Sequence, residues 1–342
     1  MTTVLIVSPP GDTHAMLVGW SLEQQGHAVQ FWDTRDAVQG RGHSVSMSPG
    51  APTRVTVQHT EFDAAWLRRV HWPNRIRFGV AEEDSKYVFD ESRKYFDNVM
   101  ERLSRSPCRF LNPRASTIRG EMKIEQLHAC RELGIKFPET LISSDPDEIR
   151  AFVHRHRVVA VKPIDVHTWK LPDGGSLMTY TNTITAADID GMSDASLMAC
   201  PVIYQRCIQK VHDVRVVAVG DKVFACRLDS PSGTTDFRPF QGTDDLRFSR
   251  METPEPLARA MLSLTDYFSL QLASSDFVVG EAGEFYFLDL NPGGAYLFVE
   301  FNTGYPITAH VAAMLGGGDP DEYPGLHAYN EVMSAENAIG AV

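Results

Sequence analysis

The stretch "FYFLDLNPGGAYLFVEFNTGYP", Phe285 to Pro306, decides how the chain is read. It begins as an apolar strand that nonetheless carries Asp289 and Asn291 two positions apart, then breaks into Pro292-Gly293-Gly294. Side chains alternate faces along a strand, so Phe287, Asp289 and Asn291 are expected on one face and Tyr286, Leu288 and Leu290 on the other. A carboxylate and a carboxamide side by side on a buried sheet are costly unless something satisfies them. Hard cations take such oxygens, and Mg²⁺ in particular combines one or two carboxylates with substrate phosphates. The plainer alternative is a strand end whose Asp and Asn enter a turn.

The rest of the chain narrows the class. At 342 residues and 38.1 kDa it is long enough for two or three packed units. A hydrophobic fraction of 43% and a charged fraction of 22% are ordinary for a globular protein. The net charge of -12 argues against a general nucleic-acid binder, which needs clustered Lys and Arg, while leaving room for a local basic site. Cys108, Cys130, Cys200, Cys207 and Cys226 are scattered without a C-x-x-C pair, which suits a reducing cytoplasm better than a disulfide framework or zinc site. "MTTVLIVSPPGD" reads as a first strand and turn, not a signal peptide, and no apolar run approaches the roughly 18 residues a membrane helix needs.

Periodicity then supplies elements. "TVLIV" is a buried strand, His14 to Gly26 a helix closed by glycine, and "AVQFWD" a second strand, a β-α-β start. "RVTVQH" alternates like a strand, "FDAAWLRRVHWPN" holds a short one, and Glu91 to Ser104 is helical. Asn112-Pro113 marks a first boundary. Beyond it, Glu121 to Gly134 is a helix and "KFPETLIS" a strand; "DPDEIRAFVHRH" is a helix with acids in its first turn. "VVAVKPI", "LMTYTNTI" and "PVIYQRCI" are strands, and "DVRVVAVGDKVFACRLDS" is two strands about Gly220-Asp221. Pro254 to Phe268 is a helix before "LASSDFVVG" and the opening strand; residues 304–315 are expected to form the last helix, with an irregular tail from Gly316.

Several positions within these elements invite chemistry. Lys162 interrupts an apolar strand, where an unpaired ammonium is strongly destabilised; it either grips an anion or snorkels from the strand end. Lys123 lies on a helix, where a surface lysine is the default. Gly174-Gly175 is either a phosphate-covering loop or a hairpin turn. "HDVRVVAV" sets Asp213 and Arg215 on one strand face, and "TDFRPF" repeats the spacing with Asp236 and Arg238; each pair also reads as a structural ion pair. There is neither a P-loop nor a G-x-G-x-x-G fingerprint.

The order of these signals carries more than any one of them. From Asn112 to Ala313 the chain resembles the ATP-grasp ligase superfamily, and within it the graspetide (microviridin-type) peptide maturases. The resemblance rests on "FLNP", "KIEQLHACRELGIKFPETLIS", "KPI", "YTNTI", "YQRCIQKVHDVRVVAVGDKVFACR", "TDFR" and "SSDFVV". Most specific is the N-P-x-G-x-x-x-x-x-E-x-x-T-G-x-P-I pattern from Asn291 to Ile307; "FDAAWLRR" is similar to a stretch of that family's N-terminal domain.

The resemblance implies an α/β and α+β architecture: an ATP-grasp fold behind an N-terminal α/β (pre-ATP-grasp) domain. The expected division is 1–111 for that domain, 112–204 and 205–318 for the two ATP-grasp subdomains, and 319–342 for a tail. It implies ATP and Mg²⁺ as cofactors. Lys123, Lys162, Gly174 and Gly175 would attend the phosphates, and Gln205, Arg206, Cys207 and Ile208 would form the hinge against adenine. Asp276, Asp289 and Asn291 would bind Mg²⁺, with Asp289 standing where glutamate is commoner. Arg215 and Arg238 would face the phosphates or the activated carboxylate, and Arg68 and Arg69 are further candidates to receive an acidic peptide. The implied reaction is carboxylate activation through an acyl phosphate, crosslinking side chains of a ribosomal precursor peptide (leader and core) by ester or amide bonds. The alternatives are a ligase joining small carboxylates and amines, and an ATP-binding module without turnover. No nucleic-acid or membrane partner is expected; a homo-oligomer is compatible.

Overall fold

"TVLIV" is apolar at every position because both of its faces are covered: Val4 and Ile6 enter one core, Leu5 and Val7 another. In the computed structural model, which describes residues 1–165, 168–171, 174–231, 234–240 and 242–339, this run is β1 (Thr3–Val7). Next come β2 (Ala28–Trp32), a separate hairpin of β3 (Ser44–Ser46) and β4 (Arg54–Thr56), then β5 (Ala64–Leu67) and β6 (Arg109–Leu111). The parallel sheet runs β2-β1-β5-β6. Helix α1 (Thr13–Gln24), N-capped by the Asp12 carboxylate, packs on the Val4 face, and α2 (Ser85–Ser104) on the Leu5 face.

Helices α3 (Arg114–Glu121) and α4 (Lys123–Glu132) lead to a second sheet. It is built from β7 (Thr140–Ser143), β8 (Val158–Lys162), β11 (Asn182–Thr185) and β12 (Val202–Arg206) in the antiparallel order β11-β8-β12-β7. Between β8 and β11 lies the hairpin of β9 (Thr168–Lys170) and β10 (Ser176–Met178). One face is closed by α5 (Pro146–His156), α6 (Ala186–Asp190) and α7 (Asp194–Leu197), through Ile149, Phe152, Val153, Ile189 and Leu197.

The third sheet is antiparallel, β15-β14-β13-β16-β17, from β13 (Lys210–Val219), β14 (Lys222–Asp229), β15 (Arg247–Met251), β16 (Leu272–Gly280) and β17 (Phe285–Asn291). Val214, Val216 and Ala218 face α4 and α8 (Glu255–Phe268). Val217 and Val219 face a core shared with β1, β5, α1, α9 (Leu297–Thr303) and α10 (Ile307–Gly316). Asn112 welds the units: its backbone is left-handed (φ 64), which Asn tolerates better than most residues. Its carboxamide donates to Leu272 O and Pro292 O and accepts from the amides of Gln271 and Leu272.

Four expectations need correction. Phe287 does not share a face with Asp289, because the β16–β17 register slips between Asp276/Asp289 and Phe277/Phe287, leaving Leu288 as a bulge. Phe287 and Leu290 therefore both enter the core under α8. "LMTYTNTI" is not one strand but the end of β10 and, after a break, β11. The helix placed at Glu91 begins at Ser85. The tail after Gly316 is not irregular throughout: α11 spans Leu326–Ile339. Its contacts are tertiary and invisible to periodicity, since the Leu326 amide donates to Glu300 Oε1 at 3.1 Å and Tyr329 meets Trp20 edge-on at 5.2 Å. Helices α3 and α9 and strand β15, short and weakly patterned, were not anticipated.

Candidate functional site

A cavity of about 720 Å³ opens between the second and third sheets. Strand alternation supplies one wall: Val158, Ala160 and Lys162 of β8 point into it, while Val159 packs in the core beneath α5. Gln205, Arg206, Cys207, Ile208 and Gln209 pass along it without interruption as β12 runs out. Gln205 is buried, with its carboxamide donating to Thr140 Oγ1 at 2.9 Å. The Arg206 amide bonds Glu139 O at 2.9 Å while its side chain is exposed, and burial pushes the Cys207 thiol up. Val278 and Leu288 form the facing wall, and Glu281 lines the same space.

At the polar end of the cavity Lys162 is the last residue of β8, its ammonium donating to Leu288 O at 3.1 Å. This acceptor carbonyl belongs to the residue left out of the β16–β17 register. Burial pushes the Lys162 pKa down; Asp289 and Asp276 pull it up, and Lys123 and Arg238 push it further down. Lys123 opens α4, where a cation opposes the helix dipole, and it pairs with Asp289. Both lysines line one narrow void with Gln126 and Leu288.

Beside them one row crosses three strands: Arg215 of β13 opposite Asp276 of β16, and Asp276 opposite Asp289 of β17. Arg215 Nη1 reaches Asp276 Oδ1 at 2.8 Å, and Nη2 reaches Ala295 O at 3.2 Å, with the guanidinium 5.4 Å from the Phe298 ring. Asn291 ends the strand, exposed, its Oδ1 accepting the Gly293 amide at 2.9 Å. The turn reading of Asn291 thus holds together with its place in the row's neighbourhood. The donors present, two carboxylates and one carboxamide on adjacent strands, fit a hard cation that completes its shell elsewhere. Among the described residues no cluster of three or more His, Cys, Asp or Glu could hold a metal by itself.

Arg238 forks onto Asp236, Nε lying 2.9 and 3.0 Å from the two oxygens, and its guanidinium lies 5.5 Å from the Tyr180 ring. Burial works against the ionised Asp236, but Arg238 and the Thr181 amide outweigh it and hold the carboxyl below its usual range. Since Asp236 accepts that Thr181 amide at 3.0 Å, it ties the chain just before β11 to the loop bearing Arg238. Gly174 and Gly175 turn the β9–β10 hairpin, with Leu171 N bonded to Gly175 O at 2.7 Å. Gly174 needs glycine for its backbone (φ 87) rather than for space, and residues 172–173 of that loop lie outside the described residues. Arg68 and Arg69 part company. Arg69 is 57% exposed, but Arg68 is 4% exposed, turned inward onto Asp12 and Gly293 O.

Sequence reasoning passed over Lys210 and gave Asp213 only a generic ion pair. Lys210 Nζ lies 2.6 Å from the Asp213 carboxylate, whose pKa burial pushes up to about 6. The signal available was K-x-x-D leading into D-x-R at a strand entrance.

No family model matches the chain, and no curated protein does. Solved structures match closely in shape. A RiPP-associated ATP-grasp ligase of Chryseobacterium gregarium, solved with ADP and a leader and core peptide, superposes with a TM-score of 0.78 at 22% identity, covering 95% of this chain and 98% of its own. The macrocyclase MdnC of Microcystis aeruginosa MRC, bound to precursor peptide MdnA, gives 0.75 at 22%, covering 92% and 100%. The ATP-grasp ligase PsnB, complexed with a precursor variant, Mg and ADP, gives 0.70 at 21%, covering 92% and 98%. The chain has the ATP-grasp fold. Of these three structures, two are ATP-grasp ligases and one a macrocyclase, and each was solved with a peptide.

Proposed function

We propose that this protein is an ATP-dependent ligase of the graspetide type, joining side chains of a ribosomal precursor peptide by ester or amide bonds. What carries the reading is the row Arg215–Asp276–Asp289 with Lys123 and Lys162 at the polar end of a nucleotide-sized cavity. The peptides in the matched structures favour a peptide over a small-molecule substrate.

Adenine would lie along Gln205, Arg206, Cys207 and Ile208, where Val158, Ala160, Val278 and Leu288 offer apolar faces. Lys162 and Lys123 would hold the phosphates, with Gly174 and Gly175 in the loop above. Asp276, Asp289 and Asn291 would hold Mg²⁺, which when bound neutralises phosphate oxygens and orients the transferring group. Lys123, which now faces Asp289, would turn toward phosphate oxygens, and Arg215 would meet the developing charge from its seat between Asp276 and Ala295 O.

Arg215 and Arg238 would orient the substrate carboxylate, since a planar guanidinium fixes it in one plane. A carboxylate oxygen attacks the γ-phosphorus and ADP leaves. A hydroxyl or amine of the same peptide then attacks the acyl carbon, loses its proton, and expels phosphate bearing the former carboxylate oxygen. The five unpaired cysteines suit the cytoplasm as the compartment for this chemistry, and among the described residues no helix is long and apolar enough to cross a membrane. Mass spectrometry of a Thr- and Glu/Asp-rich precursor incubated with protein, ATP and Mg²⁺ tests the reading. One water lost per ring, with matching ADP, is expected; ADP formed only with small amines and carboxylates would replace the peptide by a small-molecule substrate.

A further inference from the structure

The stretch Pro292–Leu297 leaves the strand that ends in Asn291, and residues from the first part of the chain hold its backbone. Asn112 donates to Pro292 O at 2.8 Å and Arg68 to Gly293 O at 2.6 Å. The amides of Tyr296 and Leu297 donate to His14 Nε2 at 3.1 and 3.2 Å. The Ala295–Tyr296 peptide is thus gripped at both ends, its N–H by His14 and its carbonyl by Arg215, whose other nitrogen reaches Asp276. A peptide group is planar, so fixing the direction of its N–H fixes its carbonyl, and with it the seat of the Arg215 guanidinium.

We propose that His14 is a positioning residue for the ligase reaction, setting Arg215 through the Ala295–Tyr296 peptide, with Arg68 in the same role at Gly293. This rests on the reading of Arg215 given above. His14 Nε2 accepts only when it carries no proton, so the ring proton sits on Nδ1. Burial and the Arg68 guanidinium hold the His14 pKa down to about 3, which keeps the acceptor available across neutral pH. An edge-on contact with the buried Tyr296 ring, 4.9 Å between centroids, fixes the imidazole plane. Arg68 is buried, paired with Asp12 on one side and donating to the carbonyl of Gly293 on the other.

The test compares full-length wild type, His14→Ala and His14→Asn, the last retaining an acceptor oxygen. Misplacement of a reacting group by about 1 Å costs on the order of 10²-fold, so His14→Ala should lower kcat for peptide-dependent ADP release by about 10- to 100-fold. The Kd for ATP, by calorimetry, should move less than about twofold, and His14→Asn should regain part of kcat. Without nucleotide or peptide, hydrogen exchange in His14→Ala should quicken over residues 293–298 and not across the sheet. Unchanged exchange there overturns the proposal whatever the activity. Faster exchange with unchanged kcat overturns it too, reducing His14 to a structural tie. If wild type makes no ADP with any peptide, the ligase reading falls, while exchange over residues 293–298 still decides whether His14 holds the Ala295–Tyr296 peptide.

Discussion

Two clusters of acids and bases in this molecule use the same residue types to opposite ends. In the N-terminal unit, Asp33 and Asp36 are met by Arg35, Arg75 and Arg77, whose side chains are 31%, 48% and 61% exposed. Burial opposes ionised Asp33, but hydrogen bonds from Arg35 and Arg75 outweigh it and hold the carboxyl below its usual range. The cleft cluster gathers Lys123, Lys162, Asp213, Arg215, Asp276 and Asp289 from five elements spread over more than 160 residues of sequence. There, burial drives Lys162 and Asp213 away from their charged forms. The first cluster is a set of ion pairs whose arginines reach into solvent, where screening leaves each pair weak. The second holds charges where folding alone would not favour them, the pattern expected of a working site.

The largest expected effect separates the two at once. Asp289→Ala or Asn291→Ala should lower ADP release by at least about 10²-fold, the usual loss when a main electrostatic stabiliser goes. The melting temperature should hardly move, because the Asp289 side chain is 39% exposed and Asn291 is exposed. Near-wild-type ADP release by folded Asp289→Ala would remove the metal role from β17.

Lys162→Ala comes next. Hydrogen bonds to charged groups are worth about 1.5–3 kcal/mol, so ATP affinity should fall by about 10- to 100-fold. Apo stability should stay level or rise, since a desolvated cation has gone. Unchanged ATP affinity by calorimetry would leave Lys162 as a lysine snorkelling from a strand end.

Asp236 and Arg238 sharpen the contrast, being an ion pair with a second duty. Asp236→Ala strands the Arg238 fork and the Thr181 amide together, at a cost on the order of 2–3 kcal/mol in a denaturant melt. Arg238→Ala should cost less stability but lower peptide-dependent ADP release well beyond its effect on ATP binding. Equal stability costs with peptide modification intact would make the arginine structural.

The pH dependence of stability offers a smaller signal. With Asp213 at about 6 in the folded state and near 3.8 unfolded, the folded protein binds the extra proton between those values. Its contribution to stability therefore falls as pH rises from about 4 to 6, by an amount on the order of 1–3 kcal/mol. Asp213→Asn should flatten that slope in melts taken across the window; an unchanged slope would mean other groups set it. Smallest of all, Arg77→Ala should cost no more than about 1 kcal/mol and leave turnover intact. A loss of activity there would erase the distinction between the clusters.

How much of this was legible beforehand follows the reach of the forces involved. The continuous apolar run of "VVAVK" and the helical period of Pro254–Phe268 are local, and both elements lie where the pattern put them. The strand placement of Lys162 and Asp289 was legible because each interrupts an otherwise apolar run, whereas Asp276 was singled out through the resemblance alone. The bulge at Leu288 was not, since it depends on the register of a partner strand. Nor was the inward turn of Arg68, whose neighbour Arg69 looks identical in sequence yet lies in solvent. His14 gave no signal at all: its partners are backbone amides nearly three hundred residues away, and amides have no side-chain signature.

The most direct measurement follows an oxygen atom. A precursor peptide with oxygen-18 in its Asp and Glu carboxylates, incubated with protein, ATP and Mg²⁺, should pass one labelled oxygen to inorganic phosphate for each ring closed. Rings closed with unlabelled phosphate would contradict activation through an acyl phosphate.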